Sequence, residues 1–174
     1  MAELNEYSLW IVPSSDVKQR FSGMIDDLAG RYEAPKFEPH MTLLGDLKGN
    51  EEGLLNKAYE IAGAISPFRI RMTEIDYLDA YFRCLFIRAE ETGPLMEANE
   101  KAREVFGRQT SPKFMPHISI MYGEYPNELK ERIIGELGRE QNIEFDVESI
   151  CFVYSSKNIP INEWRVIKEF SLKG

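Results

Sequence analysis

The chain has 174 residues, 43% of them apolar and 29% charged, which are the proportions of a folded globular protein rather than of a disordered or fibrous one. Its 21 lysines and arginines are outnumbered by 29 aspartates and glutamates, and the net charge of −8 argues against a non-specific nucleic-acid binder. There are two histidines, His40 and His117, so any imidazole chemistry depends on this pair. The length fits a single domain over residues 1–174.

The predicted strands and helices alternate along the chain. Apolar runs indicate strands and apolar residues at helical spacing indicate helices, with proline, glycine and serine at their ends. In chain order, the sequence predicts a strand over 7–12, a helix after Ser14 or Ser15, a strand over 40–44, a helix over 54–65, a hairpin of strands over 68–78 and 81–89, a helix from Thr92 to Gly107, a strand over 117–121, a helix from Pro126, and strands over 143–147, 150–154 and 164–172.

The two halves of this series repeat one order of elements: strand, helix, strand with a histidine, helix, strand. His117 has the place in the second half that His40 has in the first, and the surrounding elements keep nearly the offset that separates the two histidines. Internal repetition of this kind constrains the whole architecture. We therefore predict an α+β fold of two pseudo-symmetric lobes, each a mainly antiparallel sheet with helices packed outside it.

Each histidine lies in the same short pattern, F-x-P-H-x-[T/S], in the segments FEPHMT and FMPHIS. Side chains two residues apart point to the same face of a strand, so His40 is grouped with Thr42. In the same way, His117 is grouped with Ser119. A single histidine is often an ordinary hydrogen-bonded residue, but that interpretation weakens when the only two histidines share one pattern.

A metal site is the main chemical alternative. Zinc normally takes three or four nitrogen, sulfur or carboxylate ligands, and two histidines with two hydroxyls make a poor set. Cys84 and Cys151 lie far apart in the sequence and form no C-x-x-C pair, so we interpret them as packing residues. We expect neither a metal nor another cofactor.

Two imidazoles and two hydroxyls suit the hydrolysis of a cyclic phosphodiester. This reaction needs a base for water, an acid for the departing ribose oxygen and donors for the phosphoryl oxygens. Imidazoles with an ordinary pKa of about 6.5 can divide the acid and base roles at neutral pH, one neutral and one protonated. The two hydroxyls can each donate to a phosphoryl oxygen.

The duplicated motif resembles that of the two-histidine (2H) phosphoesterase superfamily. Three stretches, 7–13, 81–84 and 116–123, make the chain most similar to its cyclic phosphodiesterases, which open 2',3'-cyclic nucleotides or ADP-ribose 1'',2''-cyclic phosphate. The resemblance implies a metal-independent hydrolase with its active site in the cleft between the two lobes.

The resemblance also implies a role for each residue of the motif. His117 would be the base that activates water, and His40 the acid that protonates the leaving 2'-type oxygen. Thr42 and Ser119 would hold the phosphate. Because the site is nearly symmetric, the sequence leaves open the opposite assignment of acid and base.

Two aromatic residues are candidates for binding the substrate. Trp10 lies on the more polar face of its strand, where its indole could stack on a ligand, and an ordinary core position is the alternative. Tyr122 matches a site residue of the superfamily, but strict alternation turns it away from His117. Either the strand ends or bulges after Met121, or Tyr122 belongs to the core.

Two other functions stay open at this point. An RNA 2'-5' ligase-like enzyme or RNA 3'-end phosphodiesterase of the same superfamily would need a long basic groove, which the net charge disfavours. Arg69, Arg71 and Arg83 alternate on predicted strands, a pattern more typical of solvated faces than of a phosphate site. A non-catalytic nucleotide-binding module would not need both motifs intact. We therefore expect a small cyclic-phosphate nucleotide, of the kind formed in RNA or tRNA splicing, and no long nucleic acid.

The sequence also bears on location and assembly. The first ten residues lack the basic and apolar regions of a signal peptide, and no apolar run approaches the length of a membrane span. We expect a cytoplasmic monomer without a membrane partner. The sequence does not distinguish a nucleoside cyclic phosphate from its ADP-ribose counterpart.

Overall fold

The computed structural model describes residues 4–174. Its helices and strands are β1 (Glu6–Ile11), α1 (Ser15–Tyr32), β2 (Met41–Lys48), α2 (Glu51–Ala64), β3 (Phe68–Asp76), β4 (Leu85–Ala89), α3 (Gly93–Phe106), β5 (His117–Met121), α4 (Asn127–Leu137), β6 (Glu140–Val147), β7 (Ser149–Tyr154) and β8 (Arg165–Ser171). Every predicted strand and helix is present. Several boundaries differ: Tyr81–Arg83 form a short 3-10 turn before β4, His40 precedes β2, β2 extends to Lys48, and β6 begins at Glu140. Within this part of the chain, no helix is long and apolar enough to cross a membrane.

The strands form two antiparallel sheets of four strands each, in the orders β2-β1-β7-β8 and β5-β4-β3-β6. The predicted α+β fold with two pseudo-symmetric lobes is confirmed. The strand that carries or follows a histidine is an edge strand in both sheets. The halves of the sequence do not coincide with the lobes, because β3 of the first half lies in the second sheet and β7 and β8 complete the first.

Helices from one half of the chain support the histidine strand of the other half. Phe21, Ile25 and Leu28 form a buried stripe on α1, which packs against β5 and β6. Helix α3 packs against β2, where its buried Asn99 donates from Nδ2 to the Leu43 carbonyl at 2.8 Å. Strands β2 and β5 also contact each other. This packing brings the two histidines from opposite sheets to one place.

Both histidine strands carry a β-bulge at the same point. The pairing of β2 with β1 skips Leu43, and the pairing of β5 with β4 skips Ile120, which is the equivalent position of the second motif. A bulge adds one residue to a strand and so reverses the faces taken by the side chains that follow. Gly45 and Tyr122, each two residues after this shared bulge, are thereby placed on the same side as the histidines, and β2 has a second irregularity, between its Leu44 and Leu47 pairs, that the pairing of β5 does not show.

Candidate active site

A cavity of about 360 Å³ is lined by residues of both lobes. All four residues of the duplicated motif line it: His40, Thr42, His117 and Ser119. The two pairs come from edge strands of different sheets that contact each other. The structure therefore brings together the residues that the sequence pattern grouped, and both histidines come from one chain.

The imidazole ring of each histidine is held by the backbone of its own segment. Nδ1 of His40 donates to the Glu38 carbonyl at 2.7 Å, and Nδ1 of His117 donates to the Met115 carbonyl at 2.8 Å. A carbonyl oxygen can only accept, so Nδ1 carries the proton and Nε2 is the nitrogen available for chemistry. A proline follows each carbonyl residue and restricts it to extended backbone, which explains why the two lobes share this geometry.

Burial controls the protonation of both rings. Burial lowers the pKa of His40 to about 4, the Glu38 hydrogen bond opposes the change, and the charge of His117 adds to it. Burial likewise lowers the pKa of His117 to about 4, with the Met115 hydrogen bond opposing. The expectation of ordinary imidazole pKa values is therefore wrong, because the buried position of His40 and the partly buried position of His117 disfavour the charged form of each ring. Both histidines are neutral at pH near 7 when no anion lies beside them.

The surroundings of His40 are aromatic. The Trp10 indole stacks on the imidazole with ring centroids 3.6 Å apart and an interplanar angle of 11°. Phe37 and Trp164 present their edges at 6.4 and 6.1 Å. An imidazolium is attracted to the face of an indole, so this arrangement favours a proton on His40 once a compensating anion is bound.

The surroundings of His117 carry positive charge instead. Phe86 lies 5.0 Å from its ring at a tilt of 59°, so no parallel stack forms. Arg83 and Arg88 both act to lower the His117 pKa, because their positive charges disfavour a protonated neighbour. The Arg88 guanidinium is also held by Asp76, with Nε to Oδ2 at 2.7 Å. His117 is therefore the ring better suited to remain neutral.

The two hydroxyls lie beside the rings. Ser119 is buried, and its Oγ donates to the Phe82 carbonyl at 3.2 Å. Thr42 is half-buried and pairs across β1 and β2 with Trp10. A hydroxyl can rotate about its C–O bond, so both groups can turn a proton toward a phosphoryl oxygen.

A family model described as the 2'-5' RNA ligase superfamily matches residues 13–158. The chain belongs to this superfamily, and the predicted resemblance to two-histidine phosphoesterases is confirmed. A cyclic phosphodiesterase of Arabidopsis thaliana is 27% identical over 128 residues, which are 72% of this chain and 69% of that protein. A 2',3'-cyclic-nucleotide 3'-phosphodiesterase of Yarrowia lipolytica is 27% identical over 107 residues, 57% of this chain and half (50%) of that protein.

Solved structures share the fold over nearly the whole chain. A protein of Thermus thermophilus aligns with a TM-score of 0.67 at 21% identity, covering 97% of this chain and 98% of that one. Escherichia coli LigT, crystallised with 3'-AMP, aligns with a TM-score of 0.66 at 13% identity, covering 99% and 100%. At identities this low, the similarity to these two structures shows the fold alone.

Trp10 and Tyr122, the two aromatic candidates for substrate binding, both line the cavity, but their surroundings differ. Trp10 is 3% exposed and has one face covered by His40, which leaves little ring surface for a ligand. Stacking of Trp10 on the substrate stays a prediction, and the burial of its indole does not favour it. Tyr122 comes directly after the end of β5, and the bulge at Ile120 turns it into the cavity, where it stacks on Phe37 at 3.9 Å. Burial raises the Tyr122 pKa, so its phenol stays protonated.

Several cavity residues were not found by sequence reasoning. Arg83 is exposed, as the interpretation of a solvated residue expects, but it lies in the 3-10 turn rather than on a strand and lines the cavity from there. Arg69 and Arg71 do follow that interpretation, since they pair with carboxylates on the outer surface. Trp164 and Lys157 reach the cavity from the tail of the chain, where no motif marks them.

The described part of the chain offers no alternative metal centre. Within residues 4–174, no group of three or more histidine, cysteine, aspartate or glutamate side chains has the arrangement of a metal site. Cys84 and Cys151 are both buried and free, and burial raises the pKa of Cys151 to about 12. Both thiols therefore remain protonated packing groups.

Proposed function

We propose that this chain is a metal-independent cyclic phosphodiesterase that opens a small ribose cyclic phosphate. The substrate is a 2',3'-cyclic nucleotide or ADP-ribose 1'',2''-cyclic phosphate, and the product is a phosphomonoester. The observation that carries the proposal is the pair of histidines in one cavity, each with Nδ1 bound to a carbonyl and Nε2 left for proton transfer. The names of both relatives, which are cyclic phosphodiesterases, support the same class of reaction.

In the proposed reaction, Nε2 of His117 takes a proton from water as the water oxygen attacks phosphorus. The bond between phosphorus and one ribose oxygen breaks, and Nε2–H of His40 gives its proton to that oxygen. One water is consumed, and a phosphomonoester with a free ribose hydroxyl is formed. The hydroxyls of Thr42 and Ser119 donate to the phosphoryl oxygens, and the nearby Arg83 guanidinium offsets their charge.

The neighbours of each ring support this division of roles. His40 stacks on an indole, which stabilises an imidazolium, whereas His117 lies near two guanidinium groups, which disfavour one. The substrate phosphate is itself an anion, and its arrival beside His40 raises the pKa of that ring. The proton needed by the acid is therefore taken up when the substrate binds.

Cavity size and charge favour a small substrate over long RNA. The cavity has a volume of about 360 Å³, in the range of small-molecule sites. The net charge of −8 disfavours a long polyanion. Both catalytic candidates come from one chain, so we propose a monomeric enzyme formed by a single two-lobed domain.

A substrate panel tests the proposal. Purified protein with chelator is incubated with the 2',3'-cyclic nucleotides, ADP-ribose 1'',2''-cyclic phosphate and a 2'-5'-linked RNA oligonucleotide, and products are identified by phosphorus NMR. We expect opening of a small cyclic phosphate that persists with chelator. Cleavage of the oligonucleotide alone would favour the RNA enzyme. Binding without turnover of any member would favour a nucleotide-binding module, and chelator-sensitive turnover would point to a metal.

A further inference from the structure

The repeat that supplies the two histidines places unlike residues at one position beside them. Gly45 in the first motif corresponds to Tyr122 in the second, and the matching bulges give both positions the same relation to their histidine. Both residues line the cavity. On the β5 side, the phenol of Tyr122 fills the space and stacks on Phe37. On the β2 side, the corresponding residue has no side chain and leaves room for one, since a Cβ added there would meet its neighbours no closer than 3.5 Å.

The cavity wall next to Gly45 has a polar surface that includes the buried residues Ser8 and Ser155. A Cβ placed on Gly45 would lie 3.5 Å from Cγ2 of Thr42 and 3.8 Å from Oγ of Ser8. Ser8 Oγ in turn donates to the Ser155 carbonyl at 3.2 Å. Lys157 follows two residues later, exposed at the edge of the cavity. These residues therefore form a stretch of cavity wall between Thr42 of the proposed phosphate site and the positive charge of Lys157.

The segment that carries this charge is held in place. The buried Glu6 carboxylate accepts from Ser156 Oγ at 2.6 Å and from Asn158 Nδ2 at 3.1 Å. The Trp164 indole donates from Nε1 to the Ser156 carbonyl at 3.2 Å. Residues on both sides of Lys157 are thus fixed, whereas Lys157 forms no ion pair with any residue between 4 and 174.

We propose that this surface, the Gly45 subsite (Ser8, Gly45, Ser155 and Lys157), binds the group attached to the cyclic phosphate ring, and that Lys157 binds a second phosphate on that group. The inference rests on the proposed cyclic phosphodiesterase activity. It names the substrate class as ribonucleotides with a phosphate beyond the cyclic one. Asp46 lines the cavity next to Gly45, and its carboxylate can accept hydrogen bonds from ribose hydroxyls.

Three cyclic phosphates of increasing size test the subsite: glycerol 1,2-cyclic phosphate, adenosine 2',3'-cyclic phosphate and its 5'-phosphorylated form. Gly45→Leu places a side chain in the space that this glycine leaves, and its Cβ meets its neighbours at ordinary contact distances. We expect kcat/KM for the adenosine substrate to fall at least tenfold more than for the glycerol substrate. Gly23→Leu, at an exposed helical glycine with open space around it, is the control. Equal losses on both substrates would overturn the subsite.

Lys157→Gln tests the second phosphate. One surface ion pair with phosphate is worth about 1 kcal/mol, so we expect the preference for the 5'-phosphorylated substrate to fall roughly fivefold to tenfold, through KM rather than kcat. Lys36→Gln removes the same charge from an exposed lysine outside the cavity and should leave the preference unchanged. An unchanged preference in Lys157→Gln would contradict the assignment.

A binding measurement separates this inference from the proposed activity. If the wild-type protein opens none of the three substrates, the proposed function fails. Calorimetry then compares adenosine 3',5'-bisphosphate with adenosine 3'-monophosphate. Tighter binding of the bisphosphate that is lost in Lys157→Gln would support the subsite without turnover, and equal binding of both ligands by the wild-type protein would refute it.

Discussion

The two histidines have the same backbone geometry and different neighbours. Each follows a proline, donates from Nδ1 to the carbonyl two residues earlier, and precedes a bulge at matching positions of its strand. Around these shared features, His40 stacks on the Trp10 indole, while His117 lies near Arg83 and Arg88. The repetition of the backbone supplies two imidazoles of one tautomer. Only the side chains around them can make one an acid and the other a base.

The difference extends to the space beside each ring. Tyr122 fills the cavity next to β5, whereas Gly45 leaves room for a side chain next to β2. A symmetric cavity would accept a cyclic phosphate in two opposite orientations, and only one of them would place the leaving oxygen near the acid. A ligand that can extend in one direction only is bound in one orientation. In the proposed reaction, loss of symmetry beside the histidines would serve both the chemistry and the orientation of the substrate.

Removing either imidazole should have the largest effect. Because general acid or base catalysis typically contributes about 10²- to 10⁴-fold, we expect His40→Ala and His117→Ala each to lower kcat on a cyclic nucleotide by that amount. An open diester with a p-nitrophenolate leaving group separates the two roles, since this group departs without a proton. His40→Ala should retain most of its activity on the activated diester, whereas His117→Ala should not.

The same experiment can reverse the assignment. If His117→Ala retains activity on the activated diester and His40→Ala does not, the acid and base are exchanged. If both variants hydrolyse the cyclic nucleotide at a near wild-type rate, the two-histidine mechanism is wrong. Circular dichroism of each variant confirms that the fold is intact before rates are compared.

Stability should fall on the acid side because both rings are held in neutral form, with His40 buried and His117 partly buried. Each histidine has a folded-state pKa of about 4 against 6.5 for the free side chain, so the unfolded chain binds more protons between these values. The free energy of unfolding should therefore decrease as pH falls from 6.5 to 4, by at most about 1.4 kcal/mol per pH unit for each histidine. Urea titrations of the wild type, His40→Gln and His117→Gln measure these slopes. A slope that neither variant reduces would contradict the buried neutral state.

Disturbing the ring next to each imidazole should give a smaller, unequal effect. An indole stacked on an imidazolium contributes about 0.5–2 kcal/mol, so Trp10→Leu should lower kcat by roughly tenfold, with partial rescue in Trp10→Phe. Phe86→Leu, the matched change beside His117, should alter kcat by less than about threefold, because its ring is tilted against His117 and has the Arg88 guanidinium over it, 5.5 Å from the ring centroid. Equal losses for the two leucine variants would show that the stack on His40 has no special role.

Much of this organisation is encoded locally and could be predicted. The strands, the helices and the grouping of His40 with Thr42 follow from patterns only a few residues long. The lobe composition does not, because the exchange of β3 for β7 and β8 depends on pairing between distant segments. The lowered pKa values depend on burial created by the whole fold. The position of Tyr122 depends on a bulge, and strict alternation cannot anticipate one.

Residues from the tail were the hardest to place. Trp164 and Lys157 reach the cavity only because β7 and β8 return to the first sheet. Gly45 was within reach of the sequence, since superimposing the two histidine motifs aligns it with Tyr122. The absence of a side chain at Gly45 indicates a function only once Tyr122, the residue at the same position of the second motif, is known to fill the cavity.

The presence of only two histidines permits a direct test of how the roles are divided. An NMR spectrum of imidazole Cε1–H groups in untagged protein contains two signals, assigned with His40→Gln and His117→Gln. The signals are followed from pH 4 to 8, with and without a bound nucleoside monophosphate product. We predict that the bound phosphate raises the His40 pKa by at least about one unit, which is 1.4 kcal/mol, and that His117 titrates at lower pH than His40. The division of roles would be contradicted if His117 took up the proton first, or if the two signals titrated together.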